Sequence, residues 1–228
     1  MKRAPQWLKR VVEPIASQMV YASSTYVDVK STINDLGSTL ISFDKEPAGE
    51  ADEQLLRAAH LIAPKLPKAT RLIRVGGPHD GGYVMADDFA VSGAMSIGVG
   101  PDVSWDQDVA GRGVPVVMFD PTIRRPPDHV AGSRFYRVGI SGTAVGTSFR
   151  PLADLVAMAG FSRQEDLLLK IDVEGAEWAS LSCPSTSDLQ QFRQIAIEFH
   201  GLSALKSIVV SDSLLEVLNI LALAHLPI

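Results

Sequence analysis

Five short apolar runs, each meeting glycine or a polar side chain at its carboxyl end, set the strongest limit on what this chain can become. They are Ala94–Val99, Val114–Phe119, Arg134–Ile140, Leu167–Ile171 and Gln194–Phe199. Segments of helical spacing lie between several of them, at Ser104–Arg112, Leu152–Ala159 and Glu177–Ser182, and a last helix is expected over Ser211–Ala224. Runs apolar on both faces that alternate with helices build a parallel sheet covered on both sides. Right-handed crossovers then predict an α/β fold, a Rossmann-like, doubly wound, mostly parallel sheet. Ligands of such sheets bind outside the carboxyl ends of the strands. Those ends read Gly98-Val99-Gly100-Pro101-Asp102, Asp120-Pro121-Thr122, Gly139-Ile140-Ser141, Asp172-Val173-Glu174-Gly175 and Glu198-Phe199-His200.

The sheet accounts for residues 69–228. Residues 1–68 have another texture, with 9 basic and 8 acidic residues and few glycines. Leu8, Val11, Val12, Ile15 and Met19 share one helical face, and a second helix is predicted over Asp52–Leu66, ended by Pro64 and Pro67. This helical appendage is expected to serve as a lid or as the interface of a homodimer. With 21 Lys+Arg against 26 Asp+Glu the net charge is −5, which argues against nucleic acid as a partner. The one cysteine, Cys183, excludes an intramolecular disulfide and a Cys-rich zinc site. Polar residues break the apolar run after the basic start, and the Leu214–Leu226 run is too short to span a bilayer. A cytoplasmic protein without a transmembrane segment is the expectation.

The turn Gly98-Val99-Gly100 closes one strand and leads into a helix whose start Ser104 and Gln107 mark as a capping box. Gly98 and Gly100 allow close approach of a ligand. A dinucleotide turn would carry a third glycine, where this chain has Pro101-Asp102-Val103. Asp102 suits an amino group better than a pyrophosphate. Asp120, 22 residues after Gly98, is placed to accept hydrogen bonds from ribose hydroxyls. Together these fit an adenosine-like ligand with a cationic end, S-adenosylmethionine more than NAD; each feature alone reads rather as an ordinary tight turn or strand-terminal aspartate. The upstream stretch Arg74-Val75-Gly76-Gly77-Pro78-His79-Asp80-Gly81-Gly82-Tyr83 reads as a loop over a cofactor or as a hairpin connection.

Asp172 ends a buried run, and Glu198 and His200 share a side by period-two spacing. If these two strands are neighbours, Asp172, Glu198 and His200 converge on a divalent metal such as Mg²⁺ or form an acid–base pair, with His200 or Glu198 as base. Glu177 reads as an acid favoured by a helix N-terminus. Neither a nucleophile elbow nor a phosphate-binding Walker loop is present.

The ordered set RVGGPHDGGYVM, SIGVGPDVSWD, MFDPT, LLLKIDVEGAEW and IAIEFH resembles FkbM-like S-adenosylmethionine-dependent methyltransferases over roughly residues 71–224. The resemblance implies a class I methyltransferase type of sheet. It implies methyl transfer to a hydroxyl of a sugar or oligosaccharide, a mannoside 1-hydroxyl among them, or of a related small molecule. Carried over by position, Gly98, Gly100, Asp102 and Ser104 form the cofactor turn and Asp120 holds the ribose. Ser141 lies near the adenine, Asp80, Gly81, Gly82 and Tyr83 close over the methionine end, and Asp172 and Glu198 stand where related enzymes ligate a metal. Ser96 departs from the acid that often opens the glycine motif. The family's usual final antiparallel strand pair has no counterpart before Ile228, so a short sheet or a truncated chain is expected. Two other functions use the same features: a non-catalytic nucleoside-binding assembly domain and an NAD-dependent oxidoreductase.

Overall fold

The computed structural model describes residues 71–78, 81–162, 166–184, 186–200 and 212–224. The helices expected within residues 1–68, the interface assigned to them, and Asp80 lie outside these residues. The chain divides into two compact units, Met1–Leu66 with Gly201–Leu218, and Pro67–His200 with Asn219–Ile228. The sheets and every site residue below belong to the second.

The strands are β1 (Leu72–Val75), β2 (Tyr83–Ala86), β3 (Gly93–Ile97), β4 (Val116–Phe119), β5 (Arg134–Tyr136), β6 (Gly139–Ile140), β7 (Phe149–Arg150), β8 (Leu167–Ile171) and β9 (Phe192–Ile197). The helices are α1 (Ser104–Gly111), α2 (Leu152–Ala159), α3 (Glu177–Leu181), α4 (Thr186–Leu189) and α5 (Asp212–Ala224). Five strands form one sheet in the order β5-β4-β3-β8-β9, and every neighbouring pair in it is parallel. This is a Rossmann-like α/β arrangement. The order reverses between β3 and β8, so their carboxyl ends border the crevice where such sheets take ligands.

Burial explains why the central runs are apolar throughout. Every residue of β3, β4 and β8 is buried, as strands covered on both faces must be. Trp105 and Val109 of α1 pack with Ala94, Val116, Met118 and Leu168 in one cluster. Helix α1 is thereby seated directly after the Gly98–Gly100 turn. Among the described residues no helix is long and apolar enough to cross a membrane.

Two expectations change. The run Arg134–Ile140 is not one strand: Val138 N bonds back to Tyr136 O at 2.9 Å, and the chain turns out of the sheet there. Gly139–Ile140 then pairs with Phe149–Arg150 instead. The capping box is also absent. Val103 is the N-cap, so Ser104 stands one position too late to cap, and Asp102 Oδ1 accepts from Ser104 N at 2.6 Å. The Ser104 hydroxyl turns to the glycine-rich loop, accepting from Gly77 N at 2.8 Å and donating to Gly81 O at 3.4 Å. Gln107 donates to Asp128 and to the His129 carbonyl.

β1 and β2 form an antiparallel hairpin, so the hairpin reading of residues 74–83 holds. Its position follows from one side chain on β9. Gln194 accepts from Ala86 N at 2.8 Å and donates to Ala86 O and Asp88 O at 3.1 and 2.8 Å, imitating a strand partner. This clamp sets the hairpin beside β9 and brings Tyr83 to the sheet's carboxyl edge.

Candidate functional site

A cavity of about 400 Å³ opens at the switch point, within the roughly 300–1,000 Å³ of small-ligand sites. Gly98, Gly100, Asp102, Asp120, Phe149 and Asp172 are among the residues that line it. Gly98 has φ +83°, and a Cβ there would stand 1.6 Å from the Asp172 carbonyl oxygen, so only glycine fits between the ends of β3 and β8. Gly100 has φ +59° and faces open space.

Asp120 holds this turn in shape. Its Oδ2 accepts from Val99 N and Gly100 N, both at 3.0 Å, and its Oδ1 accepts from Thr122 N and Oγ1 at 2.7 and 2.6 Å. Burial alone would raise its pKa, but the bonds from Gly100, Thr122 and Val99 outweigh it and hold the carboxyl below its usual range. The strand-end aspartate therefore braces the glycine turn as well as lining the cavity.

Lys170 connects the turn to the acidic side. Only 2% exposed, it donates from Nζ to Gly98 O at 2.7 Å and lies 3.7 Å from Asp172 Oδ2. Its cation also sits 5.8 Å from the centre of the Tyr83 ring. Behind it, Asp106 of α1 is buried, with neither oxygen in a well-formed hydrogen bond. Burial pushes its pKa up to about 6 against the pull of Lys170 and of nearby Ser96.

Asp172, Glu174 and His200 each bring one ligand atom within 4.8 Å of the others. His200 Nε2 lies 3.4 Å from Glu174 Oε2, 3.6 Å from Glu198 Oε1 and 3.9 Å from Asp172 Oδ1. Tyr83 Oη lies 3.2 Å from Asp172 Oδ2 and 3.4 Å from Glu198 Oε2 as donor. On its other nitrogen, His200 Nδ1 is 2.7 Å from Glu177 Oε1. Burial lowers the imidazole pKa, but the Glu177 bond and the charges of Glu177, Glu174 and Glu198 win and raise it above its ordinary value. Two carboxylates and an imidazole form a donor set that fits a hard divalent cation.

The neighbouring β8 and β9 bring Asp172, Glu198 and His200 to one place, although β9 stops at Ile197 and the last two lie beyond it. The tight set takes Glu174 as its third member, with Glu198 at its edge. Glu174 gets there because it adopts φ +53°, a left-handed turn that sequence spacing does not reveal. Gly81 lines the cavity, while Tyr83 joins the acid cluster. Gly82 faces the hairpin, where a Cβ would meet Gly77 O at 2.1 Å. Ser141 does not line the cavity; its hydroxyl turns to the Thr143 carbonyl, and Gly139 and Ile140 form that wall. Sequence reasoning missed Lys170, Phe149 and Glu177. A lysine inside an otherwise apolar run was the available signal for the first.

No protein-family model, curated protein or solved structure matches this chain.

Proposed function

We propose that this protein is an S-adenosylmethionine-dependent O-methyltransferase acting on a sugar or oligosaccharide hydroxyl. One observation carries the reading: the glycine turn with Asp120 and the carboxylates Asp172 and Glu174 line a single cavity. A nucleoside seated on the turn would have its reactive end beside an acid–imidazole cluster. The cavity's size and its lining by Gly98, Gly100, Asp102 and Asp120 fit the cofactor, which supplies a methyl group already activated by its sulfonium. Asp102 at the rim complements a cationic amino group and opposes a pyrophosphate, favouring this nucleoside over NAD.

The protein's task is to align the acceptor oxygen and to remove its proton while excluding water. With no cation bound, His200 Nε2 is the foremost base; where a cation takes up that nitrogen, Glu198 next to it is the base. Asp172, Glu174 and His200 would hold a divalent cation such as Mg²⁺, which lowers the pKa of a bound hydroxyl when present. Tyr83 orients Asp172 and Glu198. Lys170 keeps the turn and Asp172 in register.

Calorimetric titration with S-adenosylhomocysteine, with NAD as control and with Mg²⁺ or EDTA present, tests this. Micromolar binding of the nucleoside alone supports the reading. Binding of NAD alone rejects it in favour of an oxidoreductase. A labelled-methyl screen of sugar acceptors then tests transfer, and nucleoside binding without transfer would point to the non-catalytic domain. His200→Ala should lower kcat and leave nucleoside affinity nearly unchanged.

A further inference from the structure

Glu177 opens α3 and is 0% exposed, unlike the solvated acid that a helix N-terminus usually carries. Three groups converge on its Oε1: Val173 N at 3.3 Å, Gly175 N at 3.2 Å and His200 Nδ1 at 2.7 Å. An oxygen that already accepts two backbone N–H bonds is an acceptor toward the ring as well. Nδ1 therefore carries the proton, and Nε2 is the nitrogen presented to Asp172, Glu174 and Glu198. The same two backbone bonds fasten the turn in which Glu174 holds φ +53° and Gly175 φ +103°. That conformation is strained for a non-glycine residue and needs such support. The next residue completes the hold: Trp178 Nε1 donates to the His200 carbonyl at 3.0 Å, and its ring stacks on Phe199 at 4.7 Å.

We infer that Glu177 is a positioning residue: it fixes His200 as the Nδ1-protonated tautomer and pins the turn that carries Glu174, so one buried carboxylate arranges two of the three cation-facing groups. This rests on the reading of the cluster as a cation-assisted methyl-transfer site. Carboxylates that orient a ligating histidine typically contribute about 10–100-fold in metal affinity. Glu177 does not line the cavity, so its role is separable from nucleoside binding.

The test uses the full chain and Mn²⁺ alone as probe. Long-range ¹H–¹⁵N spectra of histidine-labelled protein at alkaline pH, with His200 assigned by its loss in His200→Asn, report the tautomer directly. The expected result is Nδ1–H in the wild type. In Glu177→Gln the amide oxygen can still accept from Nδ1, so the tautomer should be kept, while loss of the charge behind the ring should weaken Mn²⁺ binding, followed by electron paramagnetic resonance, about 10–100-fold. S-adenosylhomocysteine affinity should stay within about twofold of the wild type, since the Gly98–Gly100 turn and Asp120 are untouched. An Nε2–H tautomer in the wild type overturns the inference without any variant. So does unchanged Mn²⁺ affinity in a folded Glu177→Gln protein. A wild type that binds the nucleoside but no Mn²⁺ sinks the cation reading itself, and with it the claim that Glu177 arranges a cation site. If Glu177→Gln does not fold, Glu177→Asp, which keeps the charge but draws it back from Nδ1, must weaken Mn²⁺ binding at least a few-fold or the inference fails.

Discussion

Gly98 and Asp172 meet backbone to backbone, the first at φ +83° with room for no Cβ against the carbonyl oxygen of the second. The contact joins the end of β3 to the end of β8. Gly100, two residues on, has an open position at φ +59°. The two glycines of one turn are thus required for different reasons. Gly98→Ala should destabilise the fold by roughly 4 kcal/mol or more, since neither backbone can yield cheaply. Gly100→Ala should cost only about 1–2 kcal/mol of left-handed strain while adding a methyl group at the cavity wall. Denaturant unfolding of both variants, with nucleoside titration of the second, checks the contrast; equal destabilisation would refute it.

Asp120 links strand end and turn through charge-assisted bonds. Asp120→Asn should destabilise by about 1.5–3 kcal/mol at neutral pH, because the amide cannot accept from all four donors. The folded pKa is depressed, so the carboxylate's contribution is present above the unfolded value of about 3.9 and is lost as pH falls through the folded value. Stability measured from neutral pH down into that acid range should show the gap between wild type and variant closing.

Asp106 carries the opposite sign. Its folded pKa of about 6 lies above the unfolded value, so the folded state binds the extra proton and stability falls as pH rises from about 4 to 6. Asp106→Asn should remove that slope. It should stabilise the protein by about 1–3 kcal/mol at pH 7–8 and have little effect near pH 4. Urea midpoints across this range are the measurement, and a pH-independent difference would contradict the assignment.

Phe149 is 38% exposed, yet it lines the cavity, and its ring lies so close to Gly139 that a Cβ there would stand 2.7 Å from it. An exposed aromatic face at the proposed nucleoside site would supply a stacking surface. Phe149→Ala should weaken S-adenosylhomocysteine binding about 5- to 20-fold, in line with roughly 1–2 kcal/mol for the face, and leave the unfolding midpoint within a small margin. Calorimetry on the variant decides this.

The sheet was legible because burial on both faces writes itself into consecutive residues. Leu167–Ile171 and Leu152–Ala159 occur with the predicted bounds, since length, apolar content and the flanking glycine and acid agree there. The run Arg134–Ile140 misled because the turn at Val138 leaves no mark on hydropathy. Ser104 misled because a cap depends on a one-residue register that the Ser–Gln spacing does not determine.

The sequence by itself determined the α/β class, the turn at Gly98 and Gly100, and the gathering of Asp120, Asp172, Glu198 and His200 at strand ends. Each of these is encoded locally, by backbone freedom or by where an apolar run stops. Only the tertiary structure decided how those groups are used. It turned Asp120 onto the Val99 and Gly100 amides, drew Glu174 into the cluster ahead of Glu198, and set Lys170 between Gly98 and Asp172. It also buried Glu177 against His200, 23 residues away along the chain. Such pairings depend on strand order and on single left-handed residues, and neither is written in the spacing of side chains along the chain.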